Sequence, residues 1–109
     1  MILNRLIIPE HNKLNFVLRH TENGEKYELP ASCRYYMIIS KPTEPFENVH
    51  FHESDTEYFS FSVEIPVGEY IFEVGIINGA SERTVILPAL DERLRPLNQL
   101  FVLRRLDNE

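Results

Sequence analysis

The chain has no tryptophan and only one cysteine, Cys33, in 109 residues. A single thiol makes no intrachain disulfide. Small secreted domains are usually stapled, so the compartment expected is a reducing cytoplasm or a particle assembled in one. Cys33 itself is expected to be a small buried residue at the start of a strand, since no basic cluster adjoins it in sequence to activate a thiolate. Glycine is scarce as well. The four present form no phosphate-cradling loop, and no serine sits in a Gly-x-Ser-x-Gly elbow. The expectation is a chain that is not an enzyme and carries no cofactor.

Long apolar runs are missing too. Nothing approaches the roughly 20 residues that span a bilayer, so no membrane partner is expected. The opening MILNRLIIPEHNK is apolar, but its hydrophobic stretch is cut short by Pro9 and no small-residue cleavage site follows. It is not expected to act as a secretory signal. Basic residues are absent from 42 to 82, a stretch that holds nine carboxylates, and the net charge is −6. An acidic body repels phosphate, which argues against nucleic acid as a partner.

What is present is alternation. Hydrophobic residues make up 43% of the chain and aromatics 11%, enough for one core in a domain of this length. In YFSFSVEI, Phe59, Phe61, Val63 and Ile65 alternate with Tyr58, Ser60, Ser62 and Glu64. That period of two marks a strand with one dry face. Past Pro66-Val67-Gly68, the inward set is Tyr70, Phe72, Val74 and Ile76. KLNFVLRH and ERTVILP read as further strands, and CRYYMIIS, apolar on both faces, reads as a central one. Asn23-Gly24 and Asn78-Gly79 read as hairpin turns, for which Asn-Gly supplies positive φ angles. VHFHE is expected to point Val49 and Phe51 inward and His50 and His52 outward. The count is about seven strands, which favours a sandwich or barrel.

The end of the chain departs from this pattern. Leu90, Leu94 and Leu97 have helical spacing until Pro96 interrupts, and LFVLRRL suits either a strand or a short helix. The division expected is a sandwich over 1–89 and a C-terminal extension over 90–109. The extension packs on the domain or, as an arm, on a partner. Leu94, Leu97, Phe101, Arg104 and Arg105 are its candidate contact residues, because arginine and large apolar groups are enriched at interfaces.

The stretch from Phe59 to Leu87 resembles the region around the E, F and G strands of immunoglobulin-like and fibronectin type III-like sandwiches. Ile65-Pro66-Val67-Gly68-Glu69-Tyr70 carries the resemblance, with the Phe72/Val74/Ile76 alternation behind it. The resemblance implies a single antiparallel immunoglobulin-like β-sandwich with a structural corner at Gly68, Tyr70 and Phe72. Tyr70 would bond its hydroxyl back to the backbone, and Phe72 stands where antibody domains keep a cysteine. With no tryptophan and no second cysteine, a true antibody domain is excluded.

Three functions remain open on these grounds. The first is a structural module docking on protein subunits of a larger assembly, concretely a phage virion as capsid decoration or tail component. Free-standing sandwiches of this kind occur there, and the location would be the virion, assembled in the host cytoplasm, or otherwise the cytoplasm itself. The second is a carbohydrate- or cell-surface-binding module, with a glycan against Tyr35, Tyr36 or Tyr58. The third is a metal-binding domain using His50 and His52, whose i, i+2 spacing puts both imidazoles on one strand face beside Glu53 and Asp55. A third ligand would come from His11, His20 or Glu57. The bland alternatives are exposed histidines on a wet strand and a solvated acidic face.

Overall fold

The computed structural model describes residues 4–19, 21–62 and 64–104 and is all-β. Ten strands form among the described residues, more than expected: β1 (Asn4–Pro9), β2 (Lys13–Val17), β3 (Thr21–Glu22), β4 (Glu25–Lys26), β5 (Arg34–Ser40), β6 (Asn48–Ser54), β7 (Tyr58–Ser62), β8 (Gly68–Ile77), β9 (Arg83–Leu87) and β10 (Asn98–Leu103). Six of them make one sheet in the order β1-β10-β8-β5-β6, with β9 also on β8. β2 and β7 form a second, small sheet, and β3 and β4 a short hairpin.

β8 is the spine. Of its ten residues, the seven from Ile71 to Ile77 pair along one edge with β5. Along the other edge β8 pairs first with β10, from Gly68 to Ile71, and then with β9, from Val74 to Ile77. β1 runs parallel to β10, so the sheet is mixed rather than wholly antiparallel. NRLIIP announces no strand in the sequence, because its partner β10 lies about 90 residues later.

The two sheets face each other across the core. Leu14, Phe59 and Phe61 from the small sheet pack with Met37, Ile39, Phe72, Val74, Leu100 and Val102 from the large one. The alternation carries this arrangement, since each strand's inward set is the apolar one. Phe16 and Phe59, directly opposite on β2 and β7, stack at 4.7 Å between ring centroids. Burying an aromatic side chain of this kind stabilises by roughly 1.5–3 kcal/mol.

The corner before β8 is held by Tyr70, whose hydroxyl donates to the carbonyl of Pro66 at 2.7 Å. Gly68 stands in it at φ 155°. Asn23 and Gly24 both have positive φ, as the Asn-Gly turn requires. Asn78-Gly79 works differently. The connection spans 78–82, the Asn78 side chain accepts from the backbone N–H groups of Ala80 and Glu82, and the positive φ falls on Ser81. The side-chain oxygen takes over what positive φ does in a two-residue turn.

No helix forms at 90–97. Asp91 there accepts hydrogen bonds from the backbone N–H groups of Arg93 and Arg95 and from Arg95 Nε, closing a tight loop in which Leu94 takes φ 62°. These bonds, that from the Arg95 N–H foremost, hold the Asp91 carboxyl below its usual range. The loop is pinned to the sheet by Asn98, buried, whose Nδ2 donates to the Pro88 carbonyl at 2.7 Å. Residues 98–103, within the stretch set apart as an extension, run as an interior strand between β1 and β8, with Leu100 and Val102 in the core.

Candidate interaction surfaces

The large sheet is apolar on its outer face as well as its inner one. On β5, Tyr36 and Ile38 point away from the small sheet and are 0% and 7% exposed; Ile71 on β8 is 2% exposed. A sheet face without a second layer is normally polar. Here the cover includes Phe51, Glu73 and Arg83 against Tyr36, then the segment Pro88 to Leu90 on one side and Phe46 on the other. Between them lies a groove of about 440 Å³ floored by Ile38 and Ile71 and flanked by Glu73, Arg83 and Val85.

Glu73 and Arg83 also reach from the groove to Tyr36, the polar centre of the outer face. The hydroxyl donates to Glu73 Oε2 at 2.7 Å, the Arg83 guanidinium lies 5.9 Å from the ring centroid, and Phe51 stacks on it at 6.1 Å. Burial, then the bond to Glu73, pushes the phenol far above its ordinary pKa. Gly75 makes room for it: a Cβ there would strike the Thr84 carbonyl and stand 2.7 Å from the Tyr36 hydroxyl. The sequence offers Tyr36 as a glycan platform, and that role is withdrawn. It does face outward, but Phe51, Glu73 and Arg83 close over it, while Tyr35 turns into the core at 3% exposure.

At the end of the sandwich where β5 begins, a second cavity of about 340 Å³ is lined by Tyr27, Leu29, Tyr35, Tyr58, Lys26 and Glu57, among others. Tyr58 is 62% exposed. Lys26 bonds Glu57 at 2.6 Å, and that bond raises the lysine's pKa. Nearby, Arg34 pairs with Asp55 at 2.7 Å. Cys33 is half-buried just ahead of β5, its N–H donating to the Pro30 carbonyl. A third, apolar crevice of about 320 Å³ opens between the sheets at Leu6, Phe16, Phe72 and Leu87.

The histidines lie opposite to expectation. His52 pairs with Met37 and His50 with Ile39, both core-facing, whereas Phe51 pairs with outward Ile38. His50 and His52 stack on Phe61 of β7 at 5.0 and 4.2 Å and so join the two sheets. The reason is packing: Phe51 finds Tyr36 on the outer face, and flat imidazoles fill the space over Phe61. Burial lowers both histidine pKa values, and His50 Nε2 is buried without a hydrogen-bond partner among the described residues. No group of three metal-ligating side chains forms among the described residues. Of the third ligands considered, His11 sits 3.6 Å from Glu64, Glu57 is engaged by Lys26, and His20 lies outside the described residues.

The proposed tail contacts separate. Leu94 is 54% exposed in its loop, Leu97 and Phe101 are half-buried, and Arg104 is exposed. Arg105 lies outside the described residues. Phe101 falls on the outer face beside Ile7 of β1, which is 63% exposed and belongs to a strand the sequence did not reveal. Nothing local in the sequence singles out Arg83 and Glu73; only the register that brings them onto Tyr36 marks them out. No family model matches this chain, and no curated protein or solved structure matches it either.

Proposed function

We propose that the chain is an immunoglobulin-like sandwich acting as a non-enzymatic interaction module, which docks on protein subunits of a larger assembly through the outer face of its large sheet. The observation that carries this is the apolar outer face, where Tyr36, Ile38 and Ile71 are buried while Phe51 and Val85 remain 48% and 46% exposed at its margins. Large apolar groups held rigidly on a face without a second layer suit contact with another protein.

The immunoglobulin-like reading is supported by order and corner. β10, β8, β5 and β6 follow one another as the G, F, C and C′ strands do, β2 pairs β7 as B pairs E, and Tyr70 bonds backbone at the start of the F-like strand. A virion, with the chain as decoration or tail component, is the concrete assembly named by this reading. Rate-zonal sedimentation of extracts from the cells that make the protein tests it. The chain should travel with a large particle, and recovery wholly at the position of a free 12.8 kDa protein overturns the proposal.

A second reading is favoured by the end cavity, where exposed Tyr58 beside Tyr27 offers a ring face and polar neighbours to a saccharide. A glycan array run with wild type and Tyr58→Ala separates it: a hit lost in the variant supports a glycan site, and no hit removes it.

A further inference from the structure

The two end strands of the large sheet have open edges among the described residues, since β1 pairs only with β10 and β6 only with β5; β9, beside β10 on β8, is a shorter third edge. Unpaired N–H and C=O groups on an edge template further pairing, so edges are usually blunted with charge or cover. Here each end strand instead presents a large apolar side chain on the outer face: Ile7 on β1, 63% exposed, and Phe51 on β6, 48% exposed.

The two edges differ in charge. β1 and its neighbour β10 contain no carboxylate, and Arg5, exposed, shares the outer face with Ile7. β6 carries Glu53 on the outer face beside Phe51. Its contact to Arg34 is long, 3.7 Å, because that guanidinium makes its short bond to Asp55.

Strand direction makes these edges complementary. β1 is parallel to β10, β10 and β5 are antiparallel to β8, and β6 is antiparallel to β5. β1 and β6 therefore point opposite ways. Two copies set side by side with the same face up bring β6 of one against β1 of the next as an antiparallel pair. With Ile7 opposite Phe51, the period of two puts Arg5 opposite Glu53 on the same face. Pairing β1 with β1, or β6 with β6, leaves both charges without an opposite.

We propose that the chain assembles with itself head to tail, the β1 edge of one copy adding to the β6 edge of the next through Ile7 on Phe51 and Arg5 on Glu53. This rests on the interaction-module reading and names a second copy as a partner. Such a heterologous contact does not close on two copies; it continues into a ring or a filament.

Sedimentation velocity of the purified full chain over a concentration series tests it. Wild type should grow past the dimer in steps of 12.8 kDa. Ile7→Asp and Phe51→Asp should each remain monomeric. Their mixture should give a 1:1 dimer that grows no further, because each variant keeps one good edge. Circular dichroism melting checks that both fold. Should Phe51→Asp lose the fold by unstacking from Tyr36, the exposed pair serves instead. Arg5→Glu and Glu53→Arg should each weaken association about tenfold, and the double exchange should restore it. A wild type that is monomeric throughout, a dimer that never extends, or a Phe51→Asp that still dimerises overturns the proposal. A monomer when pure that nonetheless travels with a particle from its source leaves the docking reading standing and removes only self-assembly.

Discussion

The two faces of the large sheet bury comparable side chains by different means. Inside, Met37, Ile39, Phe72 and Leu100 are covered by a second sheet, and contact is apolar apart from the His50 and His52 rings on Phe61. Outside, Tyr36 is equally hidden, but under a phenylalanine and a carboxylate from the two neighbouring strands and a guanidinium from β9, one strand further on. The inner face is finished. The outer one is covered at Tyr36 by side chains of its own sheet and leaves Phe51 and Val85 half exposed at its margins; that difference separates packing for stability from packing for contact.

The comparison breaks most sharply on the inner side. Phe72→Ala should cost roughly 3–5 kcal/mol in urea unfolding, close to the whole stability of a small domain. A neutral result would mean that the inner face is not the core. Next, Tyr36→Phe should cost about 1.5–3 kcal/mol, because its hydroxyl serves a carboxylate, whereas Tyr70→Phe, which loses a bond to a neutral carbonyl, should cost about 1 kcal/mol. If the order is reversed, the outer face is not organised around Glu73.

A pH dependence comes from the histidine seam between the sheets. Both folded pKa values lie below the unfolded value, so the native state resists protonation. Stability is complete above an unfolded pKa of about 6.5, falls as pH drops through it, and levels once the folded values are passed. Solvent at these half-buried rings keeps the effect below the hydroxyl deletions. The urea midpoint measured between pH of about 7.5 and about 5 should decline, and His50→Phe with His52→Phe should flatten the curve. Smallest of all, Val85→Ser should move stability by no more than about 0.5 kcal/mol while the chain ceases to travel with its assembly. A large stability loss there would make the outer margin part of the core.

How much of this was legible follows from the strands themselves. Phe59/Phe61 show their inward set because the alternate residues Ser60 and Ser62 are polar and small; in Tyr70/Phe72/Val74 the signal is weaker, since Glu73 is polar but Ile71 is not. In CRYYMIIS both faces are apolar, so the sequence declares a central strand without saying that one face lacks a second sheet. VHFHE misleads because a histidine is flat and half apolar: once Phe51 stacks on Tyr36, the imidazoles take the inner side. The Arg83–Tyr36–Glu73 group is invisible because its members come from three strands joined only by register. β1 stays hidden for the same reason, its signal being nonlocal.

That last pairing has a consequence for how the protein is made. Asn4–Pro9 finds its partner about 90 residues later in the chain, in Asn98–Leu103. A ribosome adding about 5–20 residues per second leaves the first strand waiting roughly 5–20 s before its neighbour exists. Through that interval, the most exposed isoleucine of the finished sheet belongs to a strand with neither edge satisfied. Newborn chains crowded on one message would meet through it before any of them has closed its own sheet.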